Sequence, residues 1–252
     1  MFGKLSYIIF LVLYLAFLFF MFNLINKKKI SINVIQKRLL FLFIGICYAL
    51  NILEKIITKS PTEKHVNMCI PLGNYSPFIF TLCIIVAFLP NRWSKWFDYF
   101  IGLMWLPMIL ASLYNSVGYV FNQGDFSYTC LIYDGLAHGL IGLYGFYLIK
   151  NQFISYTKKA LTITIISILL VPIIMLILNL IFNTSFFGLN LNGKHNIYGL
   201  VLTDNSLLSA LLYMLGLSAL LSLNVFVTLT MQRSNNKWAG FLDLLFLCSS
   251  LS

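Results

Sequence analysis

The sequence predicts an all-α fold: a bundle of about seven transmembrane helices (six to seven). Three observations support this prediction. Hydrophobic residues make up 60% of the 252 residues and charged residues only 10%, whereas soluble domains are about 45–50% apolar and about 25% charged. The mean hydropathy is +0.89. The apolar residues also form continuous runs, each close to the roughly 20 residues that a helix needs to cross a bilayer.

This composition argues against a soluble globular domain, a disordered chain and a disulfide scaffold. The net charge of +10 does not indicate nucleic-acid binding, because Lys and Arg in so apolar a chain mark the flanks of membrane spans. The cysteines form no Cys-x-x-Cys pair, so neither a metal site nor a cofactor is predicted. We expect one integral-membrane domain, residues 1–252, in the cell membrane with membrane lipids as its partners.

Each predicted helix rests on its own apolar stretch. The seven stretches are 5–25, 39–57, 69–89, 97–114, 129–149, 160–182 and 207–231. The first is too long for the core of a signal peptide and is interpreted as a retained span. Glu54 and Lys55 place the end of the second at the membrane surface, and Pro107 leaves the limits of the fourth open. The apolar tail after Lys237 is too short to span and is expected at the interface or against the bundle.

The basic residues predict the orientation. Segments 26–38, 90–96 and 150–159 and the tail from Arg233 hold twelve of the 17 Lys and Arg residues. The connections on the opposite side of a seven-helix bundle hold the other five. Cytoplasmic loops are enriched in Lys and Arg. The distribution therefore predicts an N-terminus outside and a C-terminus inside the cell.

Two of the few ionisable residues at membrane depth share one face of the fifth span. Asp134 and His138 are four residues apart and are therefore neighbours on a helix. An aspartate beside an imidazole can fix its tautomer and stabilise its charged form. The alternative is a buried, hydrogen-bonded pair that joins helices. The glycines near this pair leave space beside it, which close helix packing explains as well as a bound substrate does.

The third span begins with an irregular polar segment. Residues 67–78 contain two prolines and several polar side chains, among them Asn74 and Tyr75. Unsatisfied backbone is costly in lipid, so this segment should line a cavity or be covered by protein. It enters from the same predicted side as the fifth span, which puts Asn74 near the depth of Asp134. A proline-kinked packing helix is the alternative.

A third polar cluster, residues 190–199, precedes the last span and includes Asn196 and Tyr198. It lies on the same predicted outer side and could cap the cavity. An ordinary outer loop is the alternative interpretation.

The order of these motifs resembles the YwaF family of integral membrane proteins, whose animal relatives include transmembrane protein 164. The family motif Cys-Asn-Ile-Ser-Pro-Phe is similar to Gly73-Asn74-Tyr75-Ser76-Pro77-Phe78. His138 takes the place of a later family histidine, and His195-Asn196-Ile197 is similar to a Thr-Asn-Tyr loop. The resemblance implies a six- to seven-helix bundle. From the animal members it implies lipid acyl transfer by a cysteine with the histidine, yet Gly73 stands at the cysteine's place.

Three functions remain open from the sequence. The departure at Gly73 favours a pocket that binds a lipid or small apolar molecule without clear catalysis. Its expected ligand-binding residues are Asn74, Tyr75, Asn196 and Tyr198. A membrane-embedded acyltransferase-like enzyme would use His138 as general base, Asp134 as its orienting group, and Cys69 or a water as nucleophile. A purely structural membrane protein is the third hypothesis.

Overall fold

The computed structural model describes residues 2–58, 75–121, 135–182, 196–197, 200–201 and 206–233. The predicted all-α class is confirmed, since seven helices form the fold within these ranges. They are α1 (Phe2–Asn26), α2 (Val34–Thr58), α3 (Tyr75–Phe88), α4 (Asn91–Phe121), α5 (Leu136–Lys150), α6 (Lys158–Phe182) and α7 (Ser206–Arg233). A two-residue antiparallel strand pair, β1 (Asn196–Ile197) and β2 (Leu200–Val201), lies between α6 and α7.

Five of the helices are long and apolar enough to cross a membrane, as the prediction of a polytopic membrane protein requires. Their candidate spans are Leu5–Asn26, Val34–Leu53, Asn91–Tyr114, Lys158–Asn179 and Met214–Gln232. Helix α3 is a shorter apolar helix, and α5 has 15 residues. The first parts of their predicted spans, 69–74 and 129–134, lie outside the described residues. The count of seven spans therefore stays a prediction.

Helix α4 is longer than the predicted fourth span. It begins at Asn91 and continues through Pro107 to Phe121. Proline has no N–H, so the carbonyl of Leu103, four residues earlier, loses its helical donor. The buried side chain of Asn224 in α7 donates its Nδ2 group to this carbonyl. The helix can therefore pass through proline inside a candidate membrane span, because a neighbouring helix satisfies the freed backbone group.

Helix α6 has the same arrangement at Pro172. The carbonyl freed by this proline is that of Ile168. The hydroxyl of Tyr75, the first residue of α3, donates a hydrogen bond to it. A polar side chain of one helix thus satisfies a free carbonyl of another, and this hydrogen bond joins α3 to α6.

Helix α5 is the central helix of the described bundle and contacts α1, α2, α4 and α7. Twelve of its 15 residues are buried, so its polar side chains face protein. Two glycines bring its backbone close to α4. A Cβ atom added at Gly142 would lie 2.9 Å from the Trp105 carbonyl oxygen, and one at Gly145 would lie 2.6 Å from the Ile101 carbonyl oxygen. Small residues permit this close packing of helices in a membrane.

The basic connections meet at one end of the bundle, which we call the basic end. There Ile32, in the connection between α1 and α2, donates its backbone N–H to the hydroxyl of Tyr147 in α5 at 2.8 Å. Arg38 at the start of α2 donates to the Leu89 carbonyl, between α3 and α4, at 3.4 Å. Gln232 near the end of α7 donates to the Ile154 carbonyl, between α5 and α6, at 3.2 Å. These contacts agree with the assignment of the four basic regions to one side.

Candidate functional site

His138 lies inside the bundle, in the first turn of α5, and is 2% exposed. Its Nε2 atom shares a hydrogen bond of 2.6 Å with the Oγ atom of Ser76 in α3. The ring of Phe80, also in α3, meets the imidazole edge-on with 4.9 Å between centroids. An ionisable side chain is thus buried between two helices, where it contacts a serine hydroxyl and an aromatic ring of α3.

The local sequence of α3 explains how it presents these groups. Pro77 lies in the first turn, where its missing N–H costs no helical hydrogen bond. Ser76 and Phe80 are four residues apart and therefore share the face that meets His138. Tyr75 begins the helix and directs its hydroxyl to α6 instead. The irregular polar segment at the start of the third predicted span therefore supplies a direct hydrogen-bond partner of His138.

Two further hydroxyls surround the start of α5. The Gly135 carbonyl accepts hydrogen bonds from Tyr14 of α1 at 2.7 Å and from Ser112 of α4 at 2.8 Å. These two hydroxyls also contact each other, and because each carries one proton, one of them donates to the carbonyl while the other donates either to the carbonyl or to its neighbour. A Cβ atom at Gly139 would overlap the Tyr14 hydroxyl. Three helices thus bring hydroxyl groups to the first turn of α5, and we call Tyr14, Ser76, Ser112 and His138 the His138 cluster.

The structure describes only part of the predicted site. Outside the described residues lie Cys69, Asn74, Asp134 and Tyr198. Asn196 is described only as the first residue of β1. The Tyr75 hydroxyl bonds to α6. The roles assigned to these residues and to His138 in binding or catalysis stay predictions.

Sequence reasoning did not single out Tyr14, Ser76 or Ser112 as members of the site. Serine and tyrosine hydroxyls are compatible with apolar spans, because serine often bonds to its own helix backbone and tyrosine has a large apolar ring. Ser76 could have been identified from its position in the irregular segment, because it lies four residues before Phe80 and therefore on the same helix face. No comparable signal marks Tyr14 or Ser112.

A second polar cluster, near the basic end, was also missed. Lys37 of α2 and Asp98 of α4 form an ion pair at 2.6 Å, with side chains 14% and 13% exposed. Tyr144 of α5 donates to the second oxygen of Asp98 at 2.9 Å, and Lys37 donates to Ser94 at 3.1 Å. The charges are therefore paired and hydrogen-bonded, as buried charges must be. This cluster joins α2, α4 and α5.

No family model, curated protein or solved structure matches this chain. Within the described residues, no group of three His, Cys, Asp or Glu side chains is placed to hold a metal ion.

Proposed function

We propose that this chain is a polytopic membrane protein of the YwaF type that binds a lipid or small apolar molecule at the His138 cluster. The observation that carries the proposal is the hydrogen bond between the buried His138 imidazole and Ser76. Ionisable residues are costly at membrane depth and commonly mark substrate pathways or ligand sites. A histidine in a central helix fits that description.

The chemistry around His138 suits an amphipathic ligand. An imidazole and three hydroxyls can exchange hydrogen bonds with the ester or hydroxyl oxygens of a lipid. Phe80 and Leu18 provide apolar surface beside these groups. Ligand sites typically combine mostly apolar walls with a few placed polar groups. The His138 cluster has both components.

We further propose seven spans in the cell membrane, with the N-terminus outside and the basic end facing the cytoplasm. Twelve of 17 basic residues belong to the regions assigned to that end, and cytoplasmic loops carry such an excess. The His138 cluster would then lie in the outer half of the bundle, because α5 ends at the basic end with Lys150.

Ligand retention in a mild detergent tests the binding function. Native mass spectrometry should find wild-type protein with a bound lipid or apolar molecule. His138→Gln and Ser76→Ala should each weaken retention by about 5- to 150-fold, since a lost buried hydrogen-bond partner costs about 1–3 kcal/mol. The matched control is Ser222→Ala, because the exposed Ser222 hydroxyl bonds only to its own helix at Ser218. Equal retention in all four proteins would contradict the proposal.

The 2.6 Å distance between Ser76 Oγ and His138 Nε2 favours a second function, lipid acyl transfer. A hydroxyl in hydrogen-bond contact with an imidazole is the arrangement of a nucleophile and its general base. Ser76, rather than Cys69, would attack the ester carbonyl of a lipid and pass its proton to His138. His138 would return that proton to the departing alkoxide, leaving an acyl-serine. An acceptor hydroxyl would then take the acyl group and regenerate Ser76.

An alkyl fluorophosphonate distinguishes the two functions in the same preparations. The binding function predicts no covalent labelling of wild type, together with ligand retention that depends on His138. Labelling that is lost in Ser76→Ala and kept in Cys69→Ser would establish the enzyme instead, with the serine as its nucleophile.

A further inference from the structure

The ends of α1 and α5 lie side by side at the basic end. The rings of Phe22 and Phe146, each one turn before the end of its helix, pack with 4.7 Å between centroids. Just beyond these rings, the backbone N–H of Ile32 donates to the hydroxyl of Tyr147 at 2.8 Å. The two helices therefore run in the same direction here. The ends that carry Lys28 and Lys150 are therefore neighbours.

Both helices end in the same backbone geometry. Lys28 has φ 52° and Gln152 has φ 59°. The next residues, Lys29 and Phe153, each donate a backbone N–H to a carbonyl five positions earlier, at 3.0 Å. This is the Schellman ending, whose left-handed position usually holds glycine because a side chain there is strained. A lysine at this position is therefore costly for the backbone, and strained residues of this kind cluster at ligand sites.

Lys150 is partly buried and has a cationic neighbour. Burial, and then the nearby ammonium group of Lys28, lower the pKa of Lys150. The connections 26–38, 89–96 and 150–159 contain ten Lys and Arg residues and no Asp or Glu. The one acidic side chain described nearby, Asp98, is paired with Lys37. The Lys28–Lys150 pair therefore has no anionic partner in these connections, and a partly buried charge is stabilised by an opposite one.

Exposed aromatic rings at the basic end indicate that this end lies at the level of the membrane surface. At the same end, Trp93 is 60% exposed, Trp96 is 45% exposed and Phe153 is 62% exposed. The Arg92 guanidinium lies 5.8 Å from the centre of the Trp93 ring. Aromatic rings and cations together are typical of the level of lipid headgroups. An anion at this level is supplied most directly by a phospholipid.

We propose that the Lys28–Lys150 pair binds the phosphate of an anionic phospholipid in the cytoplasmic leaflet. Lys28 follows the end of α1 and Lys150 ends α5, so one phosphate between their ammonium groups neutralises their repulsion and holds the two helix ends together. This site is separate from the His138 cluster, because His138 and Lys150 are twelve residues apart along α5, about 18 Å. The two proposals are therefore tested independently: loss of the phospholipid site would leave ligand binding at His138 intact, and loss of the His138 site would leave phospholipid binding intact.

The test measures retention of phosphatidylglycerol and phosphatidylcholine by the full chain in detergent, using native mass spectrometry. Wild type should retain phosphatidylglycerol in preference. Lys28→Gln/Lys150→Gln should lower that retention by about tenfold to thirtyfold, as expected for two lysines near an anionic headgroup. Lys158→Gln/Lys159→Gln removes the same charge from exposed positions at the start of α6. It should lower retention clearly less than Lys28→Gln/Lys150→Gln, because Lys158 and Lys159 would contribute only the general attraction of a basic surface for anionic lipid.

Three results would overturn this assignment. They are an equal loss in both double variants, equal retention of the two lipids by wild type, and displacement of the lipid by inorganic phosphate. If the Lys28→Gln/Lys150→Gln protein does not fold, Lys28→Gln alone decides, because Lys28 is exposed and its removal should still lower retention several-fold.

Discussion

Asp98→Ala is expected to destabilise the helix bundle by about 3–5 kcal/mol, because it leaves the Lys37 ammonium without its counter-ion in a largely buried place. The salt bridge is 2.6 Å long, and both side chains are less than 15% exposed. Tyr144 would also lose its acceptor. Thermal unfolding of the purified protein in detergent should show a large fall in Tm relative to wild type.

The double variant Lys37→Met/Asp98→Leu is the matched control. It removes both charges, and buried ion pairs replaced by apolar residues of similar size are often neutral or more stable. We therefore expect the double variant to recover most of the stability that Asp98→Ala loses. A double variant as unstable as Asp98→Ala would show that the unpaired charge is not the cause.

Gly145→Ala is expected to be the second large effect, at about 1–3 kcal/mol of destabilisation, the usual cost of inserting a group into a packed core. The added Cβ would meet the backbone carbonyl of Ile101 at 2.6 Å, and a carbonyl inside a helix cannot move aside alone. Helices α4 and α5 must therefore separate. Thermal unfolding in detergent measures the loss.

Gly216→Ala provides the comparison for this substitution. A Cβ at Gly216 in α7 meets nothing within 4 Å, and alanine favours helix over glycine by about 0.8–1.0 kcal/mol. We expect this variant to be as stable as wild type or more so. If both glycine variants lose the same stability, close packing of α4 and α5 is not the reason.

The helices could be predicted from the sequence because an apolar run of span length is a local property of the chain. Every predicted stretch overlaps an observed helix. The start of α4 was missed since the polar residues 91–96 lower the hydropathy that marks a span. The path of α4 through Pro107 was left open, because it depends on Asn224, a residue more than 100 positions away.

The candidate site could be predicted less completely, for a related reason. The position of His138 on a polar face follows from helical periodicity, and its burial agrees with that. Its partner Ser76 is 62 residues away, and the Lys37–Asp98 pair is separated by 61 residues. Which polar side chains meet across a bundle depends on the order and rotation of its helices. A single sequence does not specify either.

Cysteine accessibility tests the proposed topology most directly, and the assignment of both ligand sites to their membrane leaflets depends on that topology. Single cysteines are introduced as Lys29→Cys, Gln152→Cys and Ser60→Cys in a protein without its native cysteines, and intact cells are treated with an impermeant maleimide. Positions 29 and 152 should stay unlabelled until the cells are permeabilised, since both lie at the basic end, whereas position 60 should react at once. Labelling of positions 29 and 152 in intact cells would reverse the orientation, and labelling of only one of them would contradict a shared cytoplasmic end.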